Sequence, residues 1–238
     1  MTGAGRGARA PLGLFALLAA VHLGALLADA TPVVHATKPA LMPLLAAYAL
    51  VRGGPRRLAA ALLCGCGGDV LLQIGGATAF LAGMGCFAAG HACYIALFIR
   101  ARRPTVPWVA AGYGAAWLGT VVLLWPGLDA GLRFPVAGYS LLLAAMALGA
   151  LRAGPWAGLG GALFLLSDTL IAAGLAHWPR PPVPQFWIMA TYVAAQYLLT
   201  AGVLRDGPPG GSPPPDGPRT GSADHFSTAS RASVSPAP

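Results

Sequence analysis

The chain has 238 residues, of which 56% are hydrophobic and only 9% are charged. A soluble globular domain carries about 25% charged residues, so this composition excludes one and describes an integral membrane protein. The formal net charge of +8 does not call for a nucleic-acid partner, because arginines in cytoplasmic loops account for it.

About 20 apolar residues cross a hydrocarbon core of about 30 Å. Reading from one charged or Pro/Gly break to the next gives eight candidate spans: 12–29, 33–51, 57–74, 78–99, 105–125, 134–151, 155–175 and 185–204. The expected fold is therefore all-α, a polytopic bundle of eight transmembrane helices over 12–204. A short basic N-terminus, 1–11, precedes it, and a Pro/Gly/Ser-rich tail, 205–238, follows. The tail is too poor in apolar residues to fold on its own and is expected to be disordered.

Arginine placement sets the orientation. Arg6 and Arg9 precede the first span, and Arg52, Arg56 and Arg57 join the second and third. Arg100, Arg102 and Arg103 join the fourth and fifth, Arg152 the sixth and seventh, and Arg205 follows the eighth. The alternate connections hold only Arg133 and Arg180. Both termini are therefore expected in the cytoplasm. Arg6, Arg9 and the run ending in Ala28-Asp29-Ala30 imitate a signal peptide. Removing that run would leave seven spans and reverse the side of Arg52 to Arg57, so the first helix is expected to be retained.

The seven acidic residues are all Asp, and two of them fall inside apolar spans. Asp69 lies in the third, within Gly67-Gly68-Asp69-Val70-Leu71, and Asp168 in the seventh, within Leu166-Ser167-Asp168-Thr169. A carboxylate at the centre of a membrane helix costs about 2.5 kcal/mol or more, so intramembrane acids mark functional sites. Helical spacing of three and four puts other polar groups on definite faces. In the second span, Lys38, Met42 and Leu45 share a face that Pro39 and Pro43 are expected to kink. In the fourth, Phe80, Met84, Phe87, His91 and Tyr94 form an aromatic stripe, and in the eighth Met189, Tyr192, Gln196 and Leu199 align. Taken singly, each has a plainer role: His91 as a satisfied core histidine, Lys38 snorkelling to the interface, Gln196 and the tyrosines as interhelical bonds. His22 carries no functional expectation. Cys64, Cys66, Cys86 and Cys93 form no C-x-x-C pair and read as small core residues.

No metal site is expected, since a catalytic zinc needs three suitably placed ligands and only one deep histidine accompanies the aspartates. No cofactor motif is present either. Ser167 adjoins Asp168, so the two side chains diverge around the helix and make no serine–base couple. Acid–base chemistry by carboxyls remains.

Thr37-Lys38-Pro39 with Met42-Pro43, and Gly68-Asp69-Val70-Leu71-Leu72, resemble the YhhN-like family of membrane proteins. Phe80, Gly83, Phe87, His91 and Tyr94 fit the same pattern. So do Gly161-Ala162-Leu163-Phe164 with Ser167-Asp168, and Thr191-Tyr192 with Gln196. The resemblance covers about residues 31–204, and it departs at Gly90, where Ala would be expected. The family includes lysoplasmalogenases, eight-helix hydrolases of the vinyl ether bond of lysoplasmalogens. What the resemblance implies is an ether hydrolase acting on a lysophospholipid or ether lipid within the cell membrane, releasing a fatty aldehyde and a glycerophospho-headgroup. Asp69 and Asp168 would be acid and base, as in the two-carboxylate design of glycosidases. Lys38 would hold the lipid phosphate, and His91, Tyr94, Tyr192 and Gln196 would orient water or the aspartates. Which aspartate donates the proton is open at this point. A proton-coupled transporter or lipid-binding protein also uses intramembrane acids with a lysine and a histidine, although no convincing repeat of the two halves is visible.

Overall fold

A computed structural model describes residues 3–206 apart from positions 100 and 102. Among the described residues there are eight α-helices and no strand. They are α1 (Gly3–Leu27), α2 (Thr31–Val51), α3 (Arg56–Ile74), α4 (Ala77–Phe98), α5 (Pro107–Leu124), α6 (Ala130–Arg152), α7 (Pro155–Leu175) and α8 (Pro184–Asp206). A single 3-10 turn, Trp125–Gly127, closes α5. All eight helices are long and apolar enough to cross a membrane. The tail expected to be disordered lies outside the described residues beyond Asp206, as do Arg100 and Arg102.

The first and sixth helices begin earlier than the apolar runs predict. In α1 the apolar run read from the sequence begins at residue 12, but the helix starts at Gly3. Ala and Arg continue a helix readily, so helix length and apolar length differ there. In α6 the break expected at Arg133 lies inside the helix, which also runs through Pro135. Pro135 lacks only the N–H that would bond the Gly131 carbonyl, and Gly131 is exposed, where water serves that oxygen. α2 is likewise unbroken through Pro39 and Pro43. Pro43 cannot donate to the Pro39 carbonyl four residues back. The Cys66 thiol of α3 donates to that oxygen instead, at 3.2 Å.

The core is built where α2, α3, α4, α6, α7 and α8 meet, with Leu41, Met42, Leu45, Leu58, Leu62, Met146 and Leu199 fully buried. Lipid tails are as apolar as leucine, so close contact between backbones holds such helices together. At α7–α8 the approach is tight: a Cβ at Gly160 would stand 2.8 Å from the Leu199 nitrogen and 2.9 Å from the Ala195 oxygen. Gly90 has a similar reason on α4. A Cβ there would lie 3.1 Å from the Ala61 oxygen of α3, so glycine rather than alanine lets these two helices close up. α1 joins through His22, fully buried, whose Nδ1 is 2.7 Å from Thr37 Oγ1. That bond gives His22 a structural place.

α5 is different. Of its residues only Leu124 is buried, and Trp117 pins it to α6 by donating to Ser140 Oγ at 3.1 Å and the Ala137 oxygen at 3.3 Å. At one end of the bundle Arg152 donates to the Arg103 and Ala101 carbonyl oxygens, at 3.0 and 3.1 Å. Two of the arginine-bearing connections thus lie side by side.

Candidate active site

The glycines before Asp69 shape its surroundings. A Cβ at Gly65 would meet the Tyr192 hydroxyl at 2.9 Å, and one at Gly68 the Phe87 ring at 2.6 Å. Their absence of side chains lets both aromatics lie flush against α3. Asp69 itself is 3% exposed. Its Oδ1 is 3.5 Å from Lys38 Nζ on α2, forming the only ion pair among the described residues. An acid this deep needs such a partner. Asp69 Oδ2 is buried with no hydrogen-bond partner among the described residues, and so is Gln73 Nε2 one turn further along α3. Buried polar atoms without partners are uncommon, and here an acceptor and a donor stand on one helix face.

Asp168 has a different neighbour. The Tyr139 hydroxyl of α6 donates to its Oδ2, and the same hydroxyl is 3.1 Å from His91 Nε2 on α4. His91 is 1% exposed, and its ring packs edge-on against Phe164 at 4.8 Å between centroids. Ser167 turns away from Asp168 and donates to the Ile188 oxygen of α8 at 3.1 Å, as their adjacency requires.

The remaining polar groups bridge α4 and α8. Tyr94 donates to Gln196 Oε1 at 2.7 Å, and Gln196 Nε2 donates to the Tyr192 hydroxyl at 3.4 Å. Phe164 links the groups: its ring meets Tyr192 at 5.4 Å as well as His91. All seven residues expected from the sequence therefore belong to one connected layer. They form two parts, Lys38–Asp69 beside Tyr192, Gln196 and Tyr94, and His91 beside Asp168.

Two cavities reach this layer. One, of about 560 Å³, lies between α5, α6 and α7. A smaller one, of about 60 Å³, lies between Phe80, Met84, Phe87 and α7. Tyr139 and Asp168 are in the walls of both. Lys38, Asp69, His91, Tyr94, Tyr192 and Gln196 are in the wall of neither, and sit behind them toward the core.

The YhhN family model matches residues 33–203. The chain belongs to the YhhN family. Similar proteins include the lysoplasmalogenase of Mycobacterium tuberculosis, 35% identical over 198 residues, or 76% of this chain and 75% of the relative. Lysoplasmalogenase TMEM86B of Homo sapiens is 35% identical over 162 residues, 64% of this chain and 66% of its own. Its counterpart in Mus musculus is 30% identical over 171 residues, 71% of this chain and 74% of its own. No solved structure matches the chain.

Tyr139 and Gln73 of this YhhN-family chain are not among the residues expected from sequence. A tyrosine hydroxyl inside the sixth span was the available signal, and so was a glutamine four residues after Asp69. Neither says by itself which acid it serves. Among the described residues no three His, Cys, Asp or Glu side chains are grouped to hold a metal ion.

Proposed function

We propose that this protein is a lysoplasmalogenase, hydrolysing the vinyl ether bond of a lysophospholipid within the cell membrane, with Asp168 as proton donor and Asp69 as base. The observation that carries this reading is the contrast between the two aspartates. Asp69 is paired with the Lys38 ammonium, which suits a carboxylate. Asp168 has only the Tyr139 hydroxyl on one oxygen and lines the cavities, which suits an acid that meets substrate. Environment divides roles between paired carboxyls in this way in glycosidases.

The chemistry balances through these two groups. Asp168 gives its proton to the carbon beta to the ether oxygen, and the π pair forms the new C–H bond. The oxocarbenium ion that remains is stabilised by the carboxylates. Water between Asp69 Oδ2 and Gln73 Nε2 adds to the cationic carbon and gives a proton to Asp69. The hemiacetal then breaks its C–O bond to the glycerol oxygen, which takes the proton from Asp69, while the hemiacetal hydroxyl returns one to Asp168. Both acids regain their starting state and no redox partner is needed. Tyr139, oriented by His91, holds Asp168 in place, and Tyr94 and Gln196 position Tyr192 beside Asp69.

The purified protein incubated with lysoplasmalogen is expected to release fatty aldehyde and a water-soluble glycerophospho-headgroup. An intact vinyl ether after prolonged incubation overturns the assignment and leaves proton-coupled transport as the reading to test in proteoliposomes. The orientation has its own test. We place both termini in the cytoplasm, from the arginine alternation, so a reporter fused after Arg205 should behave as cytoplasmic. An extracytoplasmic signal reverses the bundle.

A further inference from the structure

The larger cavity carries a second cation that the acid–base pair does not use. Its wall runs along α5 from Trp108 to Leu124, sixteen residues or about 24 Å at 1.5 Å each. Nearly all of that wall is apolar. Arg133 is the only charged side chain in it besides Asp168. Arg133 is partly buried, its Nε donates to the Leu128 oxygen at 3.2 Å, and its guanidinium lies 5.8 Å from the centre of the Trp125 ring. These contacts hold the group in place. Its Nη atoms have no hydrogen-bond partner among the described residues, and a guanidinium fork matches a phosphate. Lys38, the cation expected to meet the phosphate, is committed to Asp69 and lies outside this cavity.

The register along α6 agrees with a lysolipid. Arg133 precedes Tyr139 by six residues, about 9 Å along the helix. In a glycerophospholipid, seven bonds separate phosphorus from the beta carbon of an sn-1 vinyl ether, roughly 8 Å at about 1.2 Å per bond for an extended chain. Beyond that level Trp117 ties α5 to Ser140. The nine residues from Trp117 back to Trp108 add about 14 Å of apolar wall, enough for roughly eleven methylenes at the same advance per bond.

We propose that the lysolipid lies lengthwise in the α5–α6–α7 cavity, with its phosphate on Arg133, its vinyl ether at Asp168 and Tyr139, and its chain running toward Trp108. The proposal rests on the hydrolase reading above and adds the substrate's anchor and direction.

The test uses the purified full chain in detergent. Arg133→Gln is expected to raise KM for lysoplasmalogen about tenfold or more, the loss of a charge-assisted contact, with kcat changed far less. A 1-alkenylglycerol, which has no phosphate, should be cleaved equally by both proteins. Gly112→Phe fills open space in the chain-binding wall, where a Cβ would meet nothing within 4 Å. It should raise KM for long-chain substrates and spare short-chain ones. An unchanged KM in Arg133→Gln, or an equal penalty on the alkenylglycerol, overturns the anchor. An unchanged chain-length profile in Gly112→Phe overturns the direction. A binding arm separates this from failure of the hydrolase reading: quenching of tryptophan fluorescence by a bromine-labelled lysophosphatidylcholine needs no turnover. Affinity lost in Arg133→Gln for that probe, and kept for brominated monoacylglycerol, upholds the site even if no vinyl ether is cleaved. Equal affinity of both proteins for both probes removes it.

Discussion

Asp168→Asn is expected to lower vinyl ether hydrolysis by ~10²-fold or more, the usual contribution of a positioned proton donor. The amide oxygen can still accept from Tyr139, so the bond that ties α7 to α6 survives while the transferable proton is lost. Asp69→Asn should cost as much, because an amide neither takes a proton from water nor faces a developing cation with a full charge. Neither variant should unfold, since a neutral amide is cheaper to bury than a charge. Aldehyde release measured beside a thermal melt separates the two effects. The asymmetry between the sites gives a sharper check. Tyr139→Phe should impair turnover by acting through Asp168, so adding it to Asp168→Asn should cost little more, as expected when groups act as a unit. Full activity in the double Asn variant would sink the two-carboxylate mechanism, whatever lipid proves to be the natural substrate.

Much of this site was legible because two physical signals in the sequence are strong. An acid inside an apolar span is rare enough to mark position by itself, which singled out Asp69 and Asp168. Helical periodicity then put Lys38, His91, Tyr94, Tyr192 and Gln196 on faces that the fold brings to one layer. Periodicity assigns a face, not a neighbour. The bond from Tyr139 to Asp168 joins residues 29 apart, and that from His91 to Tyr139 joins residues 48 apart. Such pairings depend on how far each helix slides along the next, which small residues such as Gly160 and Gly90 decide by backbone approach. The same sliding puts Lys38 on Asp69. It also leaves Arg133, by sequence an ordinary loop arginine, inside α6 and in a cavity wall. The charge explains the misplacement. In a chain read from break to break, a charge such as Arg133 ends a segment, whereas in the fold its guanidinium finds the Leu128 oxygen and the Trp125 ring beside the helix.

Lys38→Met is expected to destabilise the protein by about 3 kcal/mol or more, the scale found when one partner of a buried ion pair is removed. The side chains of Lys38 and Asp69 are 14% and 5% exposed, so water cannot replace the lost ammonium. The second variant should behave differently. Asp69→Asn leaves a lysine whose long stem can carry its charge toward the surface, and an amide that still bonds. Its cost should be smaller. In the combined variant no unpaired carboxylate remains, so Lys38→Met with Asp69→Asn should be more stable than Lys38→Met alone. Thermal unfolding of the three variants in one detergent measures this, and the non-additive part is the coupling of the pair. Turnover supplies the other half of the argument. If Lys38 serves Asp69, Lys38→Met should depress hydrolysis of phosphorylated and unphosphorylated alkenyl substrates alike, with kcat falling. A loss confined to KM for phosphorylated substrates, together with additive stabilities, would return Lys38 to the role of phosphate anchor and take Asp69 out of its ion pair in solution.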